Sequence, residues 1–491
     1  MSHALPNTLV ELRRRIVAGE ISMAQALDAQ QAHLAHDAGR WNAVVNRVAE
    51  PHRAPGHEGS LAGVGLAHKD IFWVGASAPG CGTGHTLTTD PCRGESPVVR
   101  RLEQHGATTL ASLAMAEYAG GVTGENPNLP LPINPLFENA FVGGSSSGSA
   151  VAVAAGLCYG SLGTDTAGSV RVPAASCGIL GLKPTKGLLS AEACFPLAPS
   201  LDTVGILARS ARDALQILAA SLSEAHRATL LPGVHLTDDM LPPAHWHEKL
   251  DNDLALPAAI RARYCLNHTS PRFALADEQN ECIAGYISQL GNTLPAPEPV
   301  ALPRLAEWGR LASIVLHAEA AATHYNALQA GAGINHITRF TALPGAAIPA
   351  PWYAQAASAA HLHRQRFLDE ALDDADILLT PVFPQGVPDW NDVLTTSPSF
   401  SPMRLLGLFS WTAFVNYLGL PAIVFPVGRD SRGRPVCVQA IGRPHSERLL
   451  LALAHHHEKQ HHGDDGFVAS PPALKQSLPS RDQHHAQHSC L

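Results

Sequence analysis

Lysine is scarce in this chain: among 491 residues only Lys69, Lys183, Lys186, Lys249, Lys459 and Lys475 carry an ammonium. Charged residues of all kinds make up 15%, the net charge is −8, and no basic stripe runs along any segment. Nucleic-acid binding therefore has no electrostatic footprint. No uninterrupted apolar stretch reaches the roughly 18 residues that suggest a membrane span. Met1 to Arg15 lacks an apolar h-region, so no secretory signal is expected. The nine cysteines form no C-x-x-C pair, which removes the commonest redox and zinc-ribbon spacings. They read as reduced, mostly buried thiols of a cytoplasmic protein. Internal repeats are absent too. What remains is 45% hydrophobic, a composition suited to a large folded core.

Periodicity gives a mixed α/β pattern. Asn7 to Arg47 reads as helical, with Leu9, Leu12 and Ile16 at helical spacing, an interruption at Gly19 and a resumption over Met23 to Leu34; Pro51 to Ser60 reads as a polar connector. Leu61 to Asp70 is a short apolar strand ending His68-Lys69-Asp70. Val98 to Gly106 is a helix and Ala107 to Leu113 a strand. Gly178 to Pro184, Asp376 to Pro381, Pro421 to Val427 and Pro435 to Gly442 read as strands. Ser210 to Leu222 and Ser446 to Glu458 read as helices. From 223 to 371 the signals weaken, with helical patches at Glu281 to Leu290 and Arg304 to Leu328. That stretch is taken as a variable, substrate-facing region. Residues 466–491, polar and rich in histidine, are expected to be a disordered tail beyond a domain spanning 1–465.

The stretch with most chemistry runs from Gly143 to Pro173. Gly143-Gly-Ser-Ser-Ser-Gly-Ser leads into an Ala/Val run, then Gly163-Thr-Asp-Thr-Ala-Gly-Ser-Val-Arg-Val-Pro. The run reads as a buried helix started by a capping serine cluster. Ser145 and Ser169 sit at its two ends, on glycine-flanked turns. Lys69 lies 76 residues before Ser145 and closes a buried strand, where burial penalises its charge. A neutral lysine can activate a serine, a second serine can carry the proton between them, and the turn Thr166-Ala-Gly-Ser169 offers successive N–H donors. Two other motifs compete. Gly144-Ser-Ser-Ser-Gly148 matches the G-x-S-x-G elbow centred on Ser146, but no strand signal precedes it. His457-Glu-Lys-Gln-His461 matches H-E-x-x-H, but no glutamate follows Glu458 as a third zinc ligand.

Gly143-Gly-Ser-Ser-Ser-Gly-Ser-Ala-Val and Asp165-Thr-Ala-Gly-Ser-Val-Arg-Val-Pro-Ala174 together resemble the amidase signature family. Val64-Gly-Leu-Ala-His-Lys-Asp70, Gly181-Leu-Lys-Pro-Thr185, Ser200-Leu-Asp-Thr-Val-Gly205, Thr380-Pro381, Asn416-Tyr-Leu-Gly-Leu-Pro421 and Val438-Gln-Ala-Ile-Gly442 are similar to further landmarks of that family, in the same order. The resemblance covers roughly residues 8–222 and 372–460, with the signature core at about 62–222 and 372–460. It implies an α/β fold with a single large mixed β-sheet core flanked by α-helices. It implies Ser169 as acyl-forming nucleophile, Ser145 after a cis peptide as the bridging serine, and Lys69 as terminal base. The backbone of Thr166, Ala167, Gly168 and Ser169 would form the oxyanion hole. Ser146, Asp165 and Arg171 are read as structural supports of the site.

Two departures stand out. The family often has Gly-Gly before the nucleophile, where this chain has Ala167-Gly168, and its Asn-Pro-x-x-Gly loop is here Asn126-Pro-Asn-Leu-Pro130. The expected activity is hydrolysis of a small carboxylic acid amide, with no cofactor, no metal, no nucleic acid and no membrane partner. A homodimer is the one self-assembly entertained. The alternative is the glutaminase component of a tRNA-dependent amidotransferase, against which Ala167 and Lys186-Gly187 after Lys-Pro-Thr count. A non-catalytic scaffold would have no use for Lys69, Ser145 and Ser169 together.

Overall fold

The computed structural model describes residues 5–48, 59–84, 87, 94–137, 139–232, 246–268, 270–331 and 333–468. Its strands are β1 (Val44–Arg47), β2 (Gly65–Lys69), β3 (Thr108–Leu113), β4 (Gly160–Asp165), β5 (Leu180–Lys183), β6 (Thr203–Ala208), β7 (Ala262–Tyr264), β8 (Glu298–Pro299), β9 (Ile377–Pro381), β10 (Ala422–Arg429) and β11 (Pro435–Gly442). Eight form one mixed sheet in the order β4-β6-β5-β10-β11-β9-β7-β8. The pairs from β4 to β9 are antiparallel, and β7 pairs parallel with both β9 and β8. The expected α/β class with a large mixed sheet between helices is what the chain adopts.

One refinement concerns the lysine strand. β2 belongs to a separate three-stranded sheet, β1-β3-β2, rather than to the large one. It lies against β4, where Gly65 O accepts from Tyr159 N at 3.2 Å and the His68 imidazole accepts from Leu162 N at 3.2 Å. A side chain thus stands in for a ladder bond at the seam. Burial pushes His68 down to about 3, so the ring is neutral and able to accept.

The N-terminal reading is corrected. The break expected at Gly19 is present, between helices Leu9–Val17 and Met23–Trp41, but the second helix is followed by β1, so Asn7 to Arg47 is not helical to its end. Ser22 and Gln25 form a capping box at the second helix. Asn42 ends it in the left-handed region, and the β-branched pair Val44-Val45 then favours a strand. The expected run from Arg304 to Leu328 breaks at His324, between helices Leu305–Thr323 and Tyr325–Ala330. At the C-terminal end, Phe467 and Val468 are buried and Phe467 N donates to Arg209 O. The rest of the expected tail, 469–491, lies outside the described residues.

All nine residues of helix Ser147–Ala155 are buried, which is why that segment reads as small and apolar. A Cβ at Gly148 would lie 2.5 Å from Ala114 N and from Ala43 O, so only glycine lets this helix seat against the end of β3. Among the described residues no helix is long and apolar enough to cross a membrane. All seven described cysteines are free thiols.

Candidate active site

Three backbone ends converge between the two sheets. β2 ends at Lys69, the loop before helix Ser147–Ala155 carries Ser145, and the turn after β4 carries Ser169. Ser146 N donates to Ser169 O at 3.3 Å, which ties the two serine turns together. Ser145 O accepts from Ala116 N, and the Gly144–Ser145 peptide is cis. Lys69 is 1% exposed and Ser145 0%, whereas Ser169, at 9%, is the most accessible of the three.

The Lys69 Nζ donates to Ser145 Oγ and to Thr164 Oγ1, both at 2.7 Å. Both partners are neutral hydroxyls. Burial therefore pushes the amine down to about 8, against weaker opposing effects of Cys194, Asp202, Asp165 and Cys81. A depressed pKa alone does not single out Lys69, because burial pushes Lys183 down further, to about 7. Partners separate the two: the Lys183 Nζ donates to Pro184 O and touches no serine. Of the two buried lysines among the described residues, Lys69 is the one whose ammonium donates to a serine hydroxyl.

The turn Thr166 to Ser169 is braced from beneath. Asp165 accepts from Gly168 N at 2.8 Å, Val170 N at 3.1 Å and Arg171 N at 3.3 Å. The Gly168 amide, expected in the oxyanion hole, is therefore taken by Asp165. The amides of Ala167 and Ser169 donate to no described group. Gly168 has φ +131°, and a Cβ there would sit 2.4 Å from Thr412 Oγ1, so the position admits only glycine. Ala167 lies outside the left-handed region, and its carbonyl accepts from Thr412 Oγ1 at 2.6 Å. Alanine in place of the second glycine is thus accommodated. The proline-rich loop is likewise held without its missing glycine, because Asn126 Nδ2 donates to Gly82 O and to Met115 O, both at 2.8 Å.

Asp165 and Arg171 are fully buried and satisfied. Arg171 donates to both Asp165 oxygens, to Thr412 O, to Gln439 Oε1 and to Asn416 Oδ1. Asn416 Nδ2 donates to Asp165 O and Oδ1, and Gln439 Nε2 to Thr380 Oγ1 and Trp411 O. Burial alone would raise the Asp165 carboxyl; Arg171 holds it well below the usual range. That depressed carboxyl contributes stability above about pH 4, lost as the pH falls through the lower folded value. Arg171→Met, which leaves the carboxylate buried and unpaired, is expected to cost about 3–5 kcal/mol at pH 7 and less in acid. Urea unfolding at pH 7 and pH 4 checks this; an equal loss at both would refute the ion-pair account.

Thr164, Asp202, Thr412, Asn416 and Gln439 escaped sequence reasoning as site residues. Asn416 and Gln439 did carry a signal: each is a large polar residue inside an apolar run, and a buried amide needs partners. The competing motifs come apart. Ser146 is fully buried, caps no helix, and its Oγ donates to Thr164 O at 3.3 Å. The expected serine cap is absent because that hydroxyl turns back to β4. His457 and His461 lie with rings 4.5 Å apart, yet Glu458 turns inward and accepts from Ala211 N at 2.8 Å. Among the described residues no group of three His, Cys, Asp or Glu is placed to hold a metal. Activity is expected to survive phenanthroline and the His457→Ala/His461→Ala double variant; loss restored by Zn²⁺ would overturn this.

Comparison with known proteins shows the family of the chain. The Amidase family profile matches residues 24–249 and 272–451. The putative amidase AmiD of Mycobacterium tuberculosis is 33% identical over 423 residues, covering 83% of this chain and 82% of that protein. A glutamyl-tRNA(Gln) amidotransferase component from Halorhodospira halophila is 30% identical over 487 residues, covering 91% of this chain and 96% of that protein. A crystal structure described as that of an amidase superposes with a TM-score of 0.77 at 29% identity, over 92% of this chain and 99% of the other. From the braced serine turns to the sheet that carries them, the chain belongs to the amidase family.

Proposed function

We propose that the protein hydrolyses a small carboxylic acid amide through an acyl-enzyme on Ser169. The observation that carries this reading is the buried Lys69 Nζ, 2.7 Å from Ser145 Oγ, in a loop bonded directly to Ser169. Ser169 Oγ attacks the amide carbon as its proton passes to Ser145, whose own proton passes to neutral Lys69. The free amides of Ala167 and Ser169 hold the developing oxyanion. Lys69 then returns the proton through Ser145 to the departing amine, and water releases the acid by the reverse path. Reduced thiols suit a cytoplasmic setting.

Region 223–371 serves as the substrate-facing side in this proposal. Glu117, in the loop whose Ala116 bonds Ser145, accepts from Asn335 N and Thr338 Oγ1 at 2.7 Å. Glu319 accepts from Ser200 N and Tyr353 Oη. Helices Leu305–Thr323 and His336–Ala342 are thus anchored to the loops that frame the site.

The test is ammonia release by the purified protein alone, across a panel of aliphatic, aryl and urea-type amides. Turnover without glutamine or any added partner protein is expected. Glutamine-restricted activity appearing only with copurified partners would favour the amidotransferase reading.

A further inference from the structure

Asp202 is not used by the mechanism, yet it reaches the site from behind. Its Oδ1 accepts from Thr166 Oγ1 at 2.6 Å, the first residue of the donor turn. Its Oδ2 accepts from Leu197 N at 2.9 Å and Ala198 N at 3.1 Å, so the carboxylate is rigidly aimed. Asp202 also lines a cavity of about 120 Å³ together with Thr164, Cys194 and Phe195. Thr164 Oγ1, on the same cavity lining, is the second partner of Lys69 Nζ.

Electrostatic interaction with Cys194, Asp202, Asp165 and Cys81 favours the charged form of the Lys69 amine. The Asp165 charge is matched by Arg171. Among the described residues Asp202 makes no such ion pair. Lys186, whose charge favours the Asp202 carboxylate, donates its Nζ to Pro199 O.

We propose that Asp202 is a positioning residue of the reaction: it fixes Thr166 beneath the oxyanion turn and is the unneutralised charge that governs how firmly Lys69 holds its proton. This rests on the proposed Ser169–Ser145–Lys69 relay. A negative charge acting through buried, low-dielectric surroundings favours the ammonium form. Asp202 thus keeps the lysine from becoming too weak a base, and Lys186 tempers that effect.

The experiment compares pH profiles of kcat/KM for wild type, Asp202→Asn, Thr166→Val and Lys186→Met on one amide substrate. Asparagine keeps the shape and removes the charge: its oxygen can accept from Leu197 N and Ala198 N while its Nδ2 donates to Thr166 Oγ1. Its acid limb is expected to move down by about 0.5–1 pH unit. Lys186→Met is expected to move the limb up, by less. Thr166→Val is expected to lower the plateau kcat roughly tenfold with the limb unmoved, as for a turn that has lost its anchor. A merely structural Asp202 would lower the plateau and leave the limb in place. An unmoved or raised limb in Asp202→Asn overturns the proposal. Should that variant not fold, an unmoved limb in Lys186→Met does so. If Lys69→Ala retains the wild-type profile, the relay itself fails, a result distinguishable from failure of the Asp202 role alone.

Discussion

Ser169→Ala is expected to lose amide hydrolysis by roughly 10³-fold or more and to lose labelling by a fluorophosphonate or sulfonyl fluoride probe. The residual rate would come from binding and from the turn amides alone. The reasons are positional. Ser169 is the most exposed of the candidate serines and ends the turn that presents the free amides of Ala167 and itself. Ser145 is sealed and bonded to Lys69, and Ser146 is sealed with its hydroxyl on Thr164 O. Peptide mapping of the labelled protein is the measurement. In wild type the probe should sit on the peptide containing Ser169. A probe on Ser146 would restore the elbow reading, and full labelling of Ser169→Ala would remove Ser169 from the chemistry.

Lys69→Arg is expected to be nearly as inactive as Lys69→Ala. A guanidinium has no lone pair at working pH and cannot take the proton that Ser145 passes on. In wild type, kcat/KM should rise with pH through an ionisation near 8 rather than near the ordinary lysine value. The sign follows from burial: the neutral form is the active one, and the interior favours it. At pH 7 an amine with pKa about 8 is about 10% neutral, against about 0.03% for an exposed lysine, a gain of roughly 300-fold in reactive enzyme. Stability moves the same way. Between about pH 8 and 10.5 the unfolded chain binds a proton that the folded chain does not, so Lys69 costs less stability as the pH rises. Lys69→Ala should therefore fold normally at pH 7, where it removes a charge the interior disfavours. Single-turnover acylation across pH, with thermal melts of the same variants, measures both. Near-wild-type acylation by Lys69→Arg would rule out the neutral base and leave Lys69 as a positioning charge.

Much of the site was legible because its parts are local. The glycine-serine turns, the lysine closing an apolar strand and the buried Ala/Val helix are each written within a dozen residues. Local turn chemistry and hydrophobic period suffice to read such segments. Asn42 shows the limit of periodicity: one left-handed residue ended a helix that the apolar spacing would have carried on to Arg47. Ser146 shows another, since a serine before a helix reads as a cap until tertiary packing offers its hydroxyl a different acceptor. Substrate choice was not legible, because residues 223–371, the region proposed to face the substrate, follow no motif.

By itself, then, the sequence determined the mixed α/β class, the buried helix between two serine turns, and which lysine and serines to watch. Tertiary structure decided the rest. It placed Lys69 on a small sheet beside β4, within reach of Ser145 and Thr164. It withdrew the Gly168 amide to Asp165 and joined Asn416 and Gln439 to Arg171 across more than 240 residues of chain. The physical reason is that a pKa and a free N–H are properties of surroundings. Burial, opposing charge and competing acceptors come from residues remote in sequence, and no local pattern encodes their distance.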